Sequence, residues 1–439
     1  MPVSRYRDNP AAIRALVDTD RVHRDVYLDP ELYELERERV FARSWIFVGH
    51  DSQVPHSGDY FTTSIAGTPV VMVRDGEGTV RVLLNRCAHK GSMLVSRESG
   101  SIGKFFRCPY HAWSYRTDGT PIAVPLSRGY EGTRLRESQS GQGLTSVASA
   151  AYRGFVFARL APEGASFESH FGAITTVLDN LAERSPLGRL RVAGGVLRSV
   201  IDCNWKVYLE NINDGVHPVS THESVARAAR DAAATLPVDS PMPMALEQLL
   251  PFGASYEFFV NAGVRVYPNG HSIFGTRASI HSGYGDLPDY VRAMEAAWGA
   301  DRARQILAFA PQNSVMFPSL VVKNALQTLR VLRPLALDRT LIEVWALAPE
   351  GAPDVLLERT LTYNRLAFSP MSIVAHDDIH VFQTIQRALA ADANPWISLH
   401  REHAPDETPG TGADISGTSE WPMRNQFRAW AALMTQDLA

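Results

Sequence analysis

The sequence predicts an α+β protein of two domains: a small all-β unit in the first part of the chain and a larger unit mixing helices with sheet. Three observations carry this reading. The chain has 439 residues, enough for two or three separate cores. Between about residues 58 and 160, short apolar runs alternate with turn pairs such as Asp75-Gly76 and Asp118-Gly119, the pattern of hairpins. Beyond 161, helical and strand periodicities interleave.

Residues 1–28 read as a polar arm. Asp29-Pro30 is a helix start, a capping Asp followed by Pro at the first helical position, and the apolar spacing runs to about Arg43. Trp45–Val48 reads as a strand, as do Tyr60–Thr63, Val70–Arg74, Val80–Leu84 and Tyr152–Leu160. In the second unit Phe167–Leu181 and Asn204–Asp214 are predicted helices, with a strand at Val192–Asp202 between them. Residues 230–250 show no clean period and read as a loop. Strands are expected at Ser255–Val260, Gly263–Tyr267, Ser314–Val322, Ala325–Pro334 and Thr340–Ala348. Arg359–Leu366, Ser372–Leu389 and Asn425–Met434 are expected helices, with residues 403–422 a loop before the last.

Composition excludes several classes. Apolar residues make up 45% and charged residues 21%, an ordinary globular balance. With 43 Lys and Arg against 47 Asp and Glu, the net charge of −4 gives no general pull toward nucleic acid or an anionic membrane. No run of 18 apolar residues occurs, so no transmembrane helix is predicted. The first residues lack the apolar core of a secretory signal, and a cytoplasmic location is expected. Three cysteines, Cys87, Cys108 and Cys203, are too few for a disulfide framework. Cys203 sits in an apolar setting and reads as a small buried residue.

Two of those cysteines fall in paired motifs, Cys87-Ala88-His89 and Cys108-Pro109-Tyr110-His111, with eighteen residues between His89 and Cys108. Two thiolates and two imidazoles can hold zinc tetrahedrally. They can also hold a [2Fe–2S] cluster with two Cys on one iron and two His on the other. That raises its potential to between about −150 and +300 mV, against roughly −400 mV for all-Cys plant-type clusters. Zinc fingers usually pair Cys with Cys and His with His. Here each loop carries one of each, which suits a diamond-shaped cluster clamped from both sides.

A second constellation lies in NWKVYLENINDGVHPVSTHES. His217 and His222 are five apart, and Pro218 is expected to kink any helix there and swing both imidazoles toward one point. Asp214, three before His217, would share its helical face and fix its tautomer. Two His with a distant carboxylate form the facial triad of non-haem iron oxygenases. The carboxylate is sought in SIVAHDDIHVFQTIQRAL. Asp378 shares a helical face with Val381, Phe382, Ile385 and Leu389 and is expected to point inward, whereas Asp377 is expected to be solvated. An inward carboxylate needs a partner, and a metal is one.

NRCAHKGSMLV and FRCPYHAWSYRTDG resemble the Rieske motif, with Trp113 and the Asp118-Gly119 turn in keeping. With the segment from Glu210 to His222, the late Asp-Asp pair and the closing SEWPMRNQFRAW, nearly the whole chain resembles the catalytic α subunit of Rieske non-haem iron ring-hydroxylating oxygenases. The resemblance implies three parts: an N-terminal helical segment (1–44), a small β Rieske domain (45–160), and a catalytic domain (161–439) with a curved antiparallel sheet covered by helices. It implies a [2Fe–2S] cluster on Cys87, His89, Cys108 and His111, and a mononuclear Fe(II) on His217, His222 and Asp378. It makes Asp214 the catalytic bridge between His111 of a neighbouring subunit and His217. It implies a homotrimer of α subunits, with or without β subunits. Electrons would come from NAD(P)H through a separate reductase, in some systems with a ferredoxin; no Gly-x-Gly-x-x-Gly fingerprint follows a strand here. The expected reaction is dihydroxylation by O2 of an aromatic acid of the benzoate or salicylate type. A monooxygenase or demethylase using the same metals is the alternative, and a Rieske electron carrier the reading from another class. A carboxylate substrate calls for an Arg clamp, and Arg265 and Arg277 lie in strand-like runs that could line a pocket, although each reads first as a surface or ion-pair arginine.

Overall fold

A computed structural model describes residues 4–137, 142–281 and 287–436. The chain divides into two compact units: residues 41–167, and residues 1–40 together with 168–439.

The smaller unit is built from three antiparallel sheets. In the four-stranded one, Val80–Leu84, Thr68–Arg74, Asp59–Ile65 and Ser99–Ser101 lie in that order. The Asp75 turn closes its hairpin as expected: the carboxylate accepts from Glu77 N at 2.9 Å and Thr79 N at 2.8 Å, so the side chain ties the loop to itself. Phe105–Arg107, Ser114–Arg116 and Pro121–Ala123 form a second sheet, its Asp118 turn capped by Thr120 N at 2.8 Å. Ile46–His50 pairs with Phe155–Arg159 in the third. Cys87 and Cys108 are buried in the core of this unit, among Val71, Val73, Phe106, Trp113 and Tyr115.

The larger unit carries a seven-stranded antiparallel sheet, in the order Leu190–Ile201, Arg339–Pro349, Thr328–Ala336, Leu320–Lys323, Asn313–Met316, Ser272–Phe274 and Val264–Val266. A bulge between Ala193 and Val196 bends its first strand; Gly194 there has φ +72°, and a Cβ on it would collide with Leu361 of the helix Asp354–Phe368. Helices cover the sheet, among them Trp205–Ile212, Ile373–Ala388 and Trp421–Thr435. The N-terminal segment is anchored to this unit through Glu36, which accepts from Trp205 Nε1 at 2.8 Å, Trp430 Nε1 at 2.7 Å and Lys206 Nζ at 2.5 Å, all buried. No helix among the described residues is long and apolar enough to cross a membrane.

Four expectations are corrected. Ser255–Val260 is not a strand: Ser255 caps a helix over Tyr256–Ala262, accepting from Phe258 N, and this cap outweighs the β propensity of Tyr, Phe and Val. The stretch 230–250 is not one loop, because the helix Glu223–Ala234 runs into it and Met244–Leu249 forms another. The helix predicted over Asn204–Asp214 ends at Ile212. Pro218 does not kink a helix but begins one, His217–Thr221, and the break falls before it.

Candidate active site and metal centres

The two Cys-His loops of the smaller unit have the same backbone design. Cys87 N donates to Ser92 O and Cys108 N to Trp113 O, both at 2.8 Å. The residue four after each Cys returns its N–H to the Cys carbonyl at 3.0 Å, with positive φ at Gly91 (+76°) and Ala112 (+56°). Each loop therefore projects its Cys and its His in the same sense.

The side chains meet like with like. The His89 and His111 rings lie 4.6 Å apart, and the Cys87 and Cys108 sulfurs are hydrogen-bonding neighbours. A tetrahedral zinc site would mix its four ligands around one point; sulfur beside sulfur and imidazole beside imidazole fits a cluster with one S-bound and one N-bound iron. Burial raises the Cys108 thiol, but backbone N–H groups of Tyr110 and His111 outweigh it and hold the pKa below its ordinary value, favouring thiolate. The Tyr115 hydroxyl, which accepts from Ala88 N, stands 3.1 Å from Cys87 Sγ. His89 stacks on Trp113 at 4.9 Å and keeps a buried Nδ1 without a partner, a lone pair or proton awaiting a ligand.

In the larger unit, the break at 213–216 places the second constellation. Gly215 is required there, since a Cβ would fall 2.5 Å from Gly417 O. Asp214 Oδ1 accepts from Val216 N at 2.7 Å, which turns the chain into the helix that starts with His217. His217 Nε2, His222 Nε2 and Asp378 Oδ1 converge: the ligand atoms of the three residues lie within 4.8 Å of one another. His217 Nε2 is 3.8 Å and His222 Nε2 3.5 Å from Asp378 Oδ1. Burial and the neighbouring His222 lower the His217 pKa to about 3, leaving a neutral imidazole ready to donate its lone pair. Burial raises Asp378 to about 6, against His222, Asn211 and Arg330, which lower it. Three aimed donors without hydrogen bonds among them fit a divalent cation.

Asp214 lies beside this group rather than in it. Its Oδ2 is 3.8 Å from His217 Nδ1, beyond a direct hydrogen bond, and its Oδ1 also faces Arg401 Nη2 at 3.4 Å. The two residues face each other across the break between two helices, not along one helical face as the spacing suggested. Asp377 is not solvated either: it is only partly exposed, and its Oδ2 lies 3.5 Å from His222 Nδ1. Sequence reasoning missed Asn211, which donates to Asp378 Oδ1 at 3.3 Å, and Arg330. The two candidate pocket arginines are instead ion-pair and surface residues, the reading the sequence favoured for each. Arg265 pairs with Asp414 at 2.8 Å, and Arg277 donates to the backbone carbonyls of Asn261 and Ile415.

A cavity opens beside the three ligands, walled by Phe252, Phe259, Phe274 and Phe368 and with Asn313 and Arg330 among its polar groups. A second cavity lies on the Asp214 side of His217; Val381, Phe382 and Ile385 of the Asp378 helix line it. That helix face, predicted to pack into a core, is thus part of a groove, with Val381 37% and Ile385 38% exposed.

Comparison with known proteins defines the class. Residues 44–136 match the Rieske [2Fe-2S] domain, and residues 177–436 match the ring hydroxylating alpha subunit (catalytic domain). The chain is 28% identical over 437 residues to the biphenyl 2,3-dioxygenase alpha subunit of Rhodococcus jostii, covering 97% of this chain and 92% of that one. It is 28% identical over 416 residues to the toluate 1,2-dioxygenase alpha subunit of Pseudomonas putida, covering 90% and 87%. Naphthalene 1,2-dioxygenase from Rhodococcus sp., solved with indole bound, superimposes with a TM-score of 0.75 at 26% identity over 95% of both chains. The chain belongs to the α-subunit family of Rieske ring-hydroxylating oxygenases, which are oxidoreductases. Its domains imply a [2Fe–2S] cluster and a mononuclear iron, and as an oxygenase component it needs electron-transfer partners, O2 and an aromatic substrate.

Proposed function

We propose that the chain is the terminal oxygenase that dihydroxylates an aromatic acid of the benzoate or salicylate type. In this reading Cys87, His89, Cys108 and His111 hold the cluster, and His217, His222 and Asp378 hold the iron. The observation that carries it is the convergence of the two Nε2 atoms and Asp378 Oδ1 at the head of an aromatic-walled cavity. When bound, the cluster carries single electrons and the iron, with three protein ligands, leaves positions open for dioxygen. The balance is one ring, one O2, two electrons and two protons to one cis-diol.

The chain's own residues have separable tasks. The phenylalanine walls bind the ring and exclude water. Asn211 holds the Asp378 carboxylate in place. Asp214 bridges to His111 of a neighbouring copy; the open groove on its side of His217 leaves room for such an approach, in keeping with a homotrimer, with or without β subunits. A separate NAD(P)H-dependent reductase, with or without a ferredoxin, supplies the electrons. The three free cysteines fit a cytoplasmic location.

The toluate relative supports an acid substrate and the biphenyl relative a neutral arene. A pure electron carrier would have no use for the second ligand group. The test is turnover of benzoate and salicylate under ¹⁸O2 with a reductase. A cis-diol carrying two labelled atoms is expected. A product with one labelled atom would replace this reading by a monooxygenase, and formaldehyde released from an added N- or O-methylated arene, with neither acid oxidised, by a demethylase.

A further inference from the structure

We propose that Arg330 is the specificity residue that binds the carboxylate of the substrate; this rests on the aromatic-acid reading above and deepens it. Arg330 lies in the strand Thr328–Ala336, is 5% exposed, and lines the cavity that contains His217, His222 and Asp378. Its Nη2 donates to Asn313 Oδ1, and its guanidinium faces the Tyr208 hydroxyl and packs 4.8 Å from the Phe368 ring centroid. These contacts fix the plane of the fork and are all neutral. Its Nε is buried without a hydrogen-bond partner. Among the described residues no carboxylate forms an ion pair with it, and Asp378, which shares the cavity, is committed to the metal ligand set.

The same sheet shows how a structural arginine is treated. Arg333, three residues on, pairs with Glu343 at 2.7 Å, and Arg198 pairs with the same carboxylate at 3.0 Å. A buried guanidinium cannot shed its proton, so one left without a counter-anion is costly unless a ligand brings it. Its free N–H groups suit a planar carboxylate, whose attached ring would then lie against the phenylalanine walls. Lys323 on the neighbouring strand is also buried but donates to Gln312 O at 3.1 Å, and burial, with Arg330 and Arg359 nearby, drives its pKa well below the ordinary value. Arg330 is therefore the fixed positive charge of this cavity.

The test is calorimetric titration of the iron-loaded full chain with benzoate and with benzamide, which keeps the shape and lacks the charge. Arg330→Met and Arg330→Lys are compared with the natural chain, and iron content is measured in each. Benzoate Kd is expected to rise about tenfold or more in Arg330→Met, with benzamide changed less than about twofold. Arg330→Lys should recover part of the benzoate affinity, since it keeps the charge without the fork. Equal weakening of both ligands, or an unchanged benzoate Kd, would overturn the role of Arg330 while leaving the aromatic-acid reading standing. A natural chain that binds benzamide but not benzoate would overturn that reading, and the clamp with it.

Discussion

His222 Nε2 stands 3.5 Å from Asp378 Oδ1, and the same oxygen lies 3.8 Å from His217 Nε2. The two histidines come from a helix start and its end, and the carboxylate from a helix more than 150 residues later, so the fold rather than local sequence assembles the group.

Asp214 sits outside the ligand group and within reach of it. Asp214→Ala should keep iron and sulfide at natural levels and lose coupled turnover by about a hundredfold or more, the scale seen when a single positioned group is lost. Iron analysis beside product formation checks this. Full activity with intact electron transfer would remove the bridging role.

The Tyr115 hydroxyl accepts from Ala88 N, so its own hydrogen is free to point at Cys87 Sγ, 3.1 Å away. A donor to sulfur favours the reduced, more negative cluster. Tyr115→Phe should lower the reduction potential, by about 60 mV for each 1.4 kcal/mol of lost preference. A redox titration of the cluster's visible absorption reads the shift.

Asp75 ties a hairpin in the same unit, bonding Arg81 Nε at 2.6 Å and two backbone N–H groups. Burial raises its pKa, but the Arg81 and backbone hydrogen bonds prevail and hold it below the ordinary carboxylate value. A depressed folded pKa stabilises above the unfolded value of about 3.9, and the contribution disappears as pH falls through the folded pKa. Asp75→Asn should therefore cost about 1.5–3 kcal/mol near pH 7 and progressively less below pH 4. Denaturation of both forms across pH measures the difference.

Glu36 holds Trp205, Lys206 and Trp430 together from the N-terminal segment and is 1% exposed. Glu36→Ala strands a buried ammonium and two indole donors. It should destabilise the larger unit by about 3–5 kcal/mol, whereas changes at the exposed pair Arg227–Glu223 should fall within about 0.5 kcal/mol. Urea unfolding followed by tryptophan fluorescence separates the two.

Much of this was legible in the sequence. The Cys-x-His and Cys-x-x-His spacings and the turn pairs at Asp75 and Asp118 mark local geometry, which a short window contains. Asp378 could be picked from Asp377 by its face, although that face lines a groove instead of a core. The break at Gly215 was not legible, because the need for glycine comes from Gly417 and Phe274, distant in sequence. Arg330 was not legible either. Its strand is buried on both faces from Thr328 to Arg333, so alternation gives no sign of which side chains meet a cavity. The only trace was a charged residue between Leu329 and Val331, and an ion pair such as that of Arg333 leaves the same trace.

The proposed iron site on His217, His222 and Asp378 is separate from the cluster. Iron and sulfide analysis, with the EPR spectrum of dithionite-reduced protein, tests it on the natural chain and on Asp378→Ala. About three irons and two sulfides are expected per natural chain, and about two of each in the variant, with an unchanged rhombic Rieske signal in both. Three irons retained in Asp378→Ala, or zinc without sulfide in the natural chain, would contradict it.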